Sequence, residues 1–82
     1  MAESATRLRK HSVSIAGHRT SVTLETAFWE KLTAIAQQRK TTMAGLIAEI
    51  DAARAGDPAT PNLSSAIRVF VLRESAMRGD LT

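Results

Sequence analysis

The 82-residue chain has no cysteine and only two histidines, His11 and His18. Without cysteine there is no disulfide to hold a small fold together and no thiol nucleophile, and the composition fits a reducing cytoplasm. Both histidines fall on a polar, strand-like segment, so no constellation with metal-ligand spacing is available. A Gly-rich phosphate loop is lacking as well. The longest unbroken apolar run is Val69-Phe70-Val71-Leu72, far short of the roughly 20 residues of a membrane span. Polar Ser12 and Ser14 follow the basic Arg7-Leu8-Arg9-Lys10, which rules out a secretory core segment there. Ser, His and Glu are all present, but general acid–base chemistry needs positioned, desolvated partners, which a small exposed hairpin does not provide. The expectations are a soluble, cytoplasmic protein that is not an enzyme and needs no cofactor or metal.

Acids are scarce at one end only. Residues 1–19 hold Arg7, Arg9, Lys10 and Arg19 against Glu3, a net charge of +3, whereas residues 20–82 balance to zero. A basic cluster at one edge suits a polyanion, since each neutralised phosphate releases counterions. The plainer reading is a basic tail that aids solubility. Chain length adds a second constraint: so small a domain buries little surface alone, and dimerisation is the simplest remedy.

The clearest local pattern is Arg19-Thr20-Ser21-Val22-Thr23-Leu24-Glu25. Its polar/apolar alternation is that of a β-strand, whose side chains change face at each residue. Helical spacing takes over immediately, with Phe28, Leu32, Ile35 and Ala36 on one stripe. Upstream, Ser12-Val13-Ser14-Ile15 alternates too, with Gly17-His18 between the segments as candidate central residues of a type II′ turn. That turn would pair Ala16 with Arg19, Ile15 with Thr20 and Val13 with Val22, leaving Val13, Ile15, Thr20, Val22 and Leu24 on one face.

Three helices are expected after the hairpin at 11–25. The first covers 26–39 with Thr26 as N-cap, and its Trp29 should pack against another helix or a second copy. The second covers 42–55, carries Met43, Leu46, Ile47 and Ile50, and stops at Gly56 before the stiff Asp57–Pro61 turn. The third covers 62–78 with Asn62 as N-cap, and is apolar over so much of its girth that it needs burial on more than one side. Residues 1–9 are expected to be a flexible basic arm and 10–78 a single domain.

The span Arg19–Ala55 resembles ribbon-helix-helix DNA-binding proteins of the MetJ/Arc/CopG kind, through Arg-Thr-Ser-Val-Thr-Leu, the Phe28/Leu32 helix and Thr41-Thr42-Met43-Ala44. Over His11–Arg78 the chain is similar to short bacterial proteins with this domain, Asn-Leu-Ser-Ser-Ala-Ile-Arg being the C-terminal signature. The resemblance implies a mainly α fold with a short β ribbon, a homodimer whose paired strands enter the major groove, and here an added C-terminal helix. It implies base readout by Arg19, Ser21 and Thr23, and phosphate contacts from Arg39, Lys40, Thr41 and Thr42 at a helix N-terminus. Arg7, Arg9 and Lys10 would add phosphate contacts from the arm. The dimer core would comprise Val22, Leu24, Phe28, Leu32, Ile35, Leu46, Ile47, Ile50, Ile67, Phe70 and Val71.

The structural alternatives are ordinary ones: Thr41 as a helix cap, and short β-branched polar residues in an exposed strand. A hairpin in each protomer would also make a four-stranded sheet about 15 Å wide, more than the roughly 12 Å major groove. The outer strands must then curl away, or DNA binding is lost. Which strand, 11–16 or 19–25, forms the ribbon stays open at this point; 19–25 is preferred because it runs straight into the first helix. The leading function is a sequence-specific regulator, a repressor of transcription acting on double-stranded DNA. A second is an antitoxin or other interaction module whose dimer holds a toxin-like partner protein, and a third is a dimeric module that has lost DNA binding.

Overall fold

Two antiparallel strands, β1 (Leu8–Ile15) and β2 (His18–Glu25), are followed by α1 (Thr26–Gln38), α2 (Met43–Arg54) and α3 (Leu63–Met77) in a computed structural model. It describes residues 4–15, 17–55 and 62–77. The expected stop at Gly56, the Asp57–Pro61 turn and Arg78 lie outside the described residues.

The hairpin exists, but its register differs from the expected one. Ile15 pairs with His18, Val13 with Thr20, His11 with Val22 and Leu8 with Glu25. Gly17 thus takes the second position between the strands rather than the first, with φ +82°, a region that L-residues rarely adopt. His18 belongs to the strand, and the expected pairing of Ala16 lies outside the described residues. Because each partner moves by two residues, the face assignment is unchanged. Val22 and Leu24 point inward and are buried, with Ile15 beside them, while Ser12, Ser14, Arg19, Ser21 and Thr23 are exposed.

The ladder also runs further toward the N-terminus than the alternation suggests. Leu8 and Arg9, assigned to the arm by sequence, are strand residues. Ser4–Arg7 form a turn closed by the Arg7 N–H donating to Ser4 O at 3.1 Å. This turn supplies acceptors to α1: Thr26 N–H donates to Arg7 O at 2.9 Å and Ala27 N–H to Ala5 O at 3.0 Å. Thr26 is therefore the first helical residue and not the cap. Glu25 is the N-cap and its side chain makes no capping hydrogen bond, since main-chain carbonyls already satisfy those donors. Trp29 also finds an unexpected neighbour, stacking on His11 of β1 with ring centroids 3.6 Å apart and planes within 2°.

Helices and sheet meet in one core. Nine of the eleven expected core residues are buried within the single chain; Phe28 and Phe70 are only partly covered. Ile15, Ala36 and Ala66 join them, and so does polar Ser75. Leu24, Leu32, Leu46, Ile47 and Ile67 are fully enclosed, each worth about 1.5–3 kcal/mol relative to exposure. By contrast Val69, Leu72 and Met77 of α3 remain exposed, so the wide apolar girth of that helix is only half covered within one chain.

The turn between α1 and α2 carries a cost. Lys40 sits at φ +57°, its N–H donating to Gln37 O at 3.1 Å while Thr41 N–H donates to Ala36 O at 3.0 Å. This is the Schellman arrangement, whose left-handed position usually holds glycine. A side chain there costs about 1–2 kcal/mol, partly offset by glycine's larger unfolded-state entropy. Lys40→Gly should therefore raise stability by roughly 0.5–1 kcal/mol, measured as a higher urea midpoint at unchanged slope; a lower midpoint would refute this account of the turn.

Candidate nucleic-acid interface

The outward face of β2 presents Arg19, Ser21 and Thr23 in a row, all exposed. Pairing places Ser14 opposite Arg19, Ser12 opposite Ser21 and Lys10 opposite Thr23. Both strands therefore share one polar face with two cations, and its single acid, Glu25, stands at the end near α1. The Glu25 carboxylate accepts from Arg68 Nε of α3 at 2.8 Å. This Arg68 hydrogen bond, with smaller help from main chain and charge, holds the Glu25 carboxyl below the usual carboxylate range. Neutralised in this way, Glu25 offers little repulsion to an anion on the hairpin face.

A second cluster lies at the α1–α2 turn. Thr42 is the N-cap of α2, its Oγ1 accepting from Gly45 N–H at 2.9 Å. Gly45 is needed for close approach: a Cβ there would lie 2.9 Å from Thr41 Oγ1 and 3.0 Å from Thr42 Oγ1. Both threonine hydroxyls thus pack against the first turn of α2, where free N–H groups and the dipole favour an anion. The signal in the sequence was the glycine two residues after Met43, unfavourable in a helix interior unless space is wanted.

Arg39 is placed differently from its neighbours. Its guanidinium bonds Glu74 of α3 at 2.8 Å and lies over the Phe70 ring, 5.2 Å from the centroid. Lys40 is exposed beside it on the left-handed residue. Arg7 lies in the turn that caps α1, and Arg9 points to the same side of the hairpin as Leu24, lining a hollow with Trp29 and Glu30. Lys10 alone of the three stands on the outer face. Glu74 and Arg68, which sequence reasoning missed, tie α3 to the turn and to β2, contacts that no local pattern encodes.

Residues 8–75 match the ribbon-helix-helix domain family. The chain belongs to that family. A solved structure of an uncharacterized protein from Bordetella pertussis Tohama I is similar to it, with 27% identity and a TM-score of 0.77 over 93% of this chain. The alignment spans 62% of that protein's length. No curated protein matches. Among the described residues there is no group of three or more His, Cys, Asp or Glu placed to hold a metal. No described helix is long and apolar enough to cross a membrane.

The Glu25–Arg68 pair has a defined pH signature. A carboxyl with a depressed folded-state pKa contributes stability above its unfolded value and loses that contribution as pH falls through the folded one. Arg68→Gln should therefore lower the urea midpoint at pH 7, and lower it by less at pH 3. A gap of equal size at both values would show that the arginine acts by packing and not by charge.

Proposed function

We propose that the chain is a sequence-specific, double-stranded-DNA-binding transcriptional regulator that acts as a homodimer and reads the major groove with its β ribbon. The observation that carries this reading is the segregated hairpin, whose outer face holds Arg19, Ser21 and Thr23 beside Lys10, Ser12 and Ser14. Arg19 can bond guanine O6 and N7 bidentately, and the hydroxyls can donate to or accept from base edges. Repression is the regulatory sense we assign, and the cytoplasm is the compartment such a role requires.

The hairpin sharpens the question of groove width. β2 has no strand on its other edge among the described residues, so two copies can join there. Strands of β2 then form the central ribbon, which two strands can occupy within roughly 12 Å. The flanking β1 strands fall near the bordering phosphates, where Lys10, with Arg7 and Arg9 close by, neutralises charge. Thr41, Thr42 and Lys40 act as phosphate anchors at the N-terminus of α2. In the free protein Arg39 is held by Glu74, so it joins the phosphate set only by leaving that carboxylate. A protein-partner role for the same fold, toxin-like or otherwise, finds its support in the exposed apolar side of α3.

Fluorescence anisotropy with labelled duplexes, including the region upstream of the gene, tests this across a salt series. Arg19→Ala should cost about 1–3 kcal/mol on the preferred sequence and relax its preference, whereas Lys40→Gly should weaken all duplexes alike and lower the salt slope by about 1. Parent-like affinity and selectivity in Arg19→Ala would exclude this readout, and absence of binding by the parent at low salt would end the DNA reading.

A further inference from the structure

A shallow groove of about 240 Å³ opens between α1 and α3, walled by Ala27, Phe28, Val71 and Leu72. Two polar residues complete its lining, Lys31 of α1 and Ser75 of α3. Phe28 and Lys31 are three residues apart, as are Leu72 and Ser75, so each helix sets one apolar and one polar group on the groove side. Ser75 is the polar member of the core, 2% exposed. Among the described residues its side chain makes no hydrogen bond, yet its oxygen is not sealed from solvent. A hydroxyl inside a helix ordinarily turns back to the carbonyl one turn earlier. Thr33 of α1 does so, donating to Trp29 O at 2.8 Å; Ser75 does not. Burying an unpartnered hydroxyl costs free energy that alanine would not, and the opening left to this one is the groove.

We propose that this groove binds a small carboxylic acid with an apolar body, its chain or ring against Phe28 and Leu72 and its carboxylate at Ser75 and Lys31. The walls offer aromatic and aliphatic carbon, and Leu72 is 55% exposed, so an apolar body gains by covering them. The polar groups are a hydroxyl that can donate and an ammonium that can only donate. No carboxylate lines the groove among the described residues. An anion that accepts from both groups is their complement, whereas an amine would meet a like charge. The volume lies below the roughly 300–1,000 Å³ of drug-sized ligand sites, which suits a short alkyl or single-ring acid. The site also adjoins the tie between α3 and the α1–α2 turn, because Glu74, next to Ser75, holds Arg39. If the DNA reading above holds, such an acid is an effector of the regulator; the binding itself does not depend on that reading.

Titration of the isotope-labelled full chain with hexanoate, followed by two-dimensional NMR in the absence of DNA, tests the site. At up to about 20 mM, the range that a ligand of so few atoms calls for, saturable shifts should centre on residues 27–31 and 71–75. Hexanol and hexylamine, which lack the carboxylate, should bind several-fold more weakly. Lys31→Gln should weaken hexanoate binding and leave hexanol binding unchanged. Ser75→Ala should weaken hexanoate roughly tenfold, the loss of one hydrogen bond to a charged group. The same variant should raise the urea midpoint of the free protein, because the unpartnered hydroxyl is gone. Absence of shifts at the groove, equal binding of hexanol and hexanoate, or parent-like affinity in Ser75→Ala would each overturn the proposal. Groove signals that move on dilution of the ligand-free protein would assign the face to a second copy of the chain and overturn it as well.

Discussion

The inward packing of Val22 and Leu24 is the constraint on which the rest of the molecule depends. Both are buried almost completely against the helices. Side chains in a strand alternate, so fixing two inward residues fixes Arg19, Ser21 and Thr23 outward. A slip of one residue would bury arginine and expose leucine, and the free-energy difference makes the register a packing decision. The face proposed to read DNA is thus specified by the core and not by any interaction on that face. This separation allows the outward residues to vary while the scaffold persists.

Two ion pairs extend that scaffold to the polar surface. Arg68 reaches Glu25 at the end of β2, and Glu74 reaches Arg39 at the end of α1, each at 2.8 Å. Helix α3 therefore touches the hairpin and the α1–α2 turn together. These groups are partly exposed, so each pair contributes at most modestly to stability; their value lies in fixing where the two clusters stand relative to each other. Lys40 shows the opposite compromise. Glycine would fit its left-handed backbone better, and a cation held there at a cost in stability agrees with a role for its charge. The same logic applies to Gly45, which weakens the start of α2 but admits both threonine hydroxyls.

Much of this architecture was legible from period alone. The switch from alternation to helical spacing at Glu25–Thr26 located the strand–helix junction, and the stripes at Leu32/Ile35 and Leu46/Ile47/Ile50 identified buried faces that the structure reproduces. The hairpin register was not legible, because a shift of two residues preserves both faces and hydrophobic pattern cannot choose between them. Thr26 resembled a cap only because the sequence does not show that Arg7 and Ala5 carbonyls arrive from 19 and 22 residues earlier. The His11–Trp29 stack and the two α3 ion pairs have the same character: each is decided by how elements fold together. For the interface, residue types and their face were readable, whereas the engagement of Arg39 by Glu74 was not.

The division of labour around α3 follows from a mismatch between helix and chain size. A helix apolar over most of its girth needs neighbours on several sides, and among the described residues only α1, α2 and the hairpin provide them. One side is filled by Ile67 and Val71 in the core, while Val69, Leu72 and Met77 face outward. A solvated helix serving only as a strut for the two ion pairs would gain from polar residues at those positions, since exposed apolar side chains favour association. The exposed apolar side of α3 is thus the part of this fold that one chain leaves uncovered, on the helix that also holds Glu25 through Arg68 and Arg39 through Glu74.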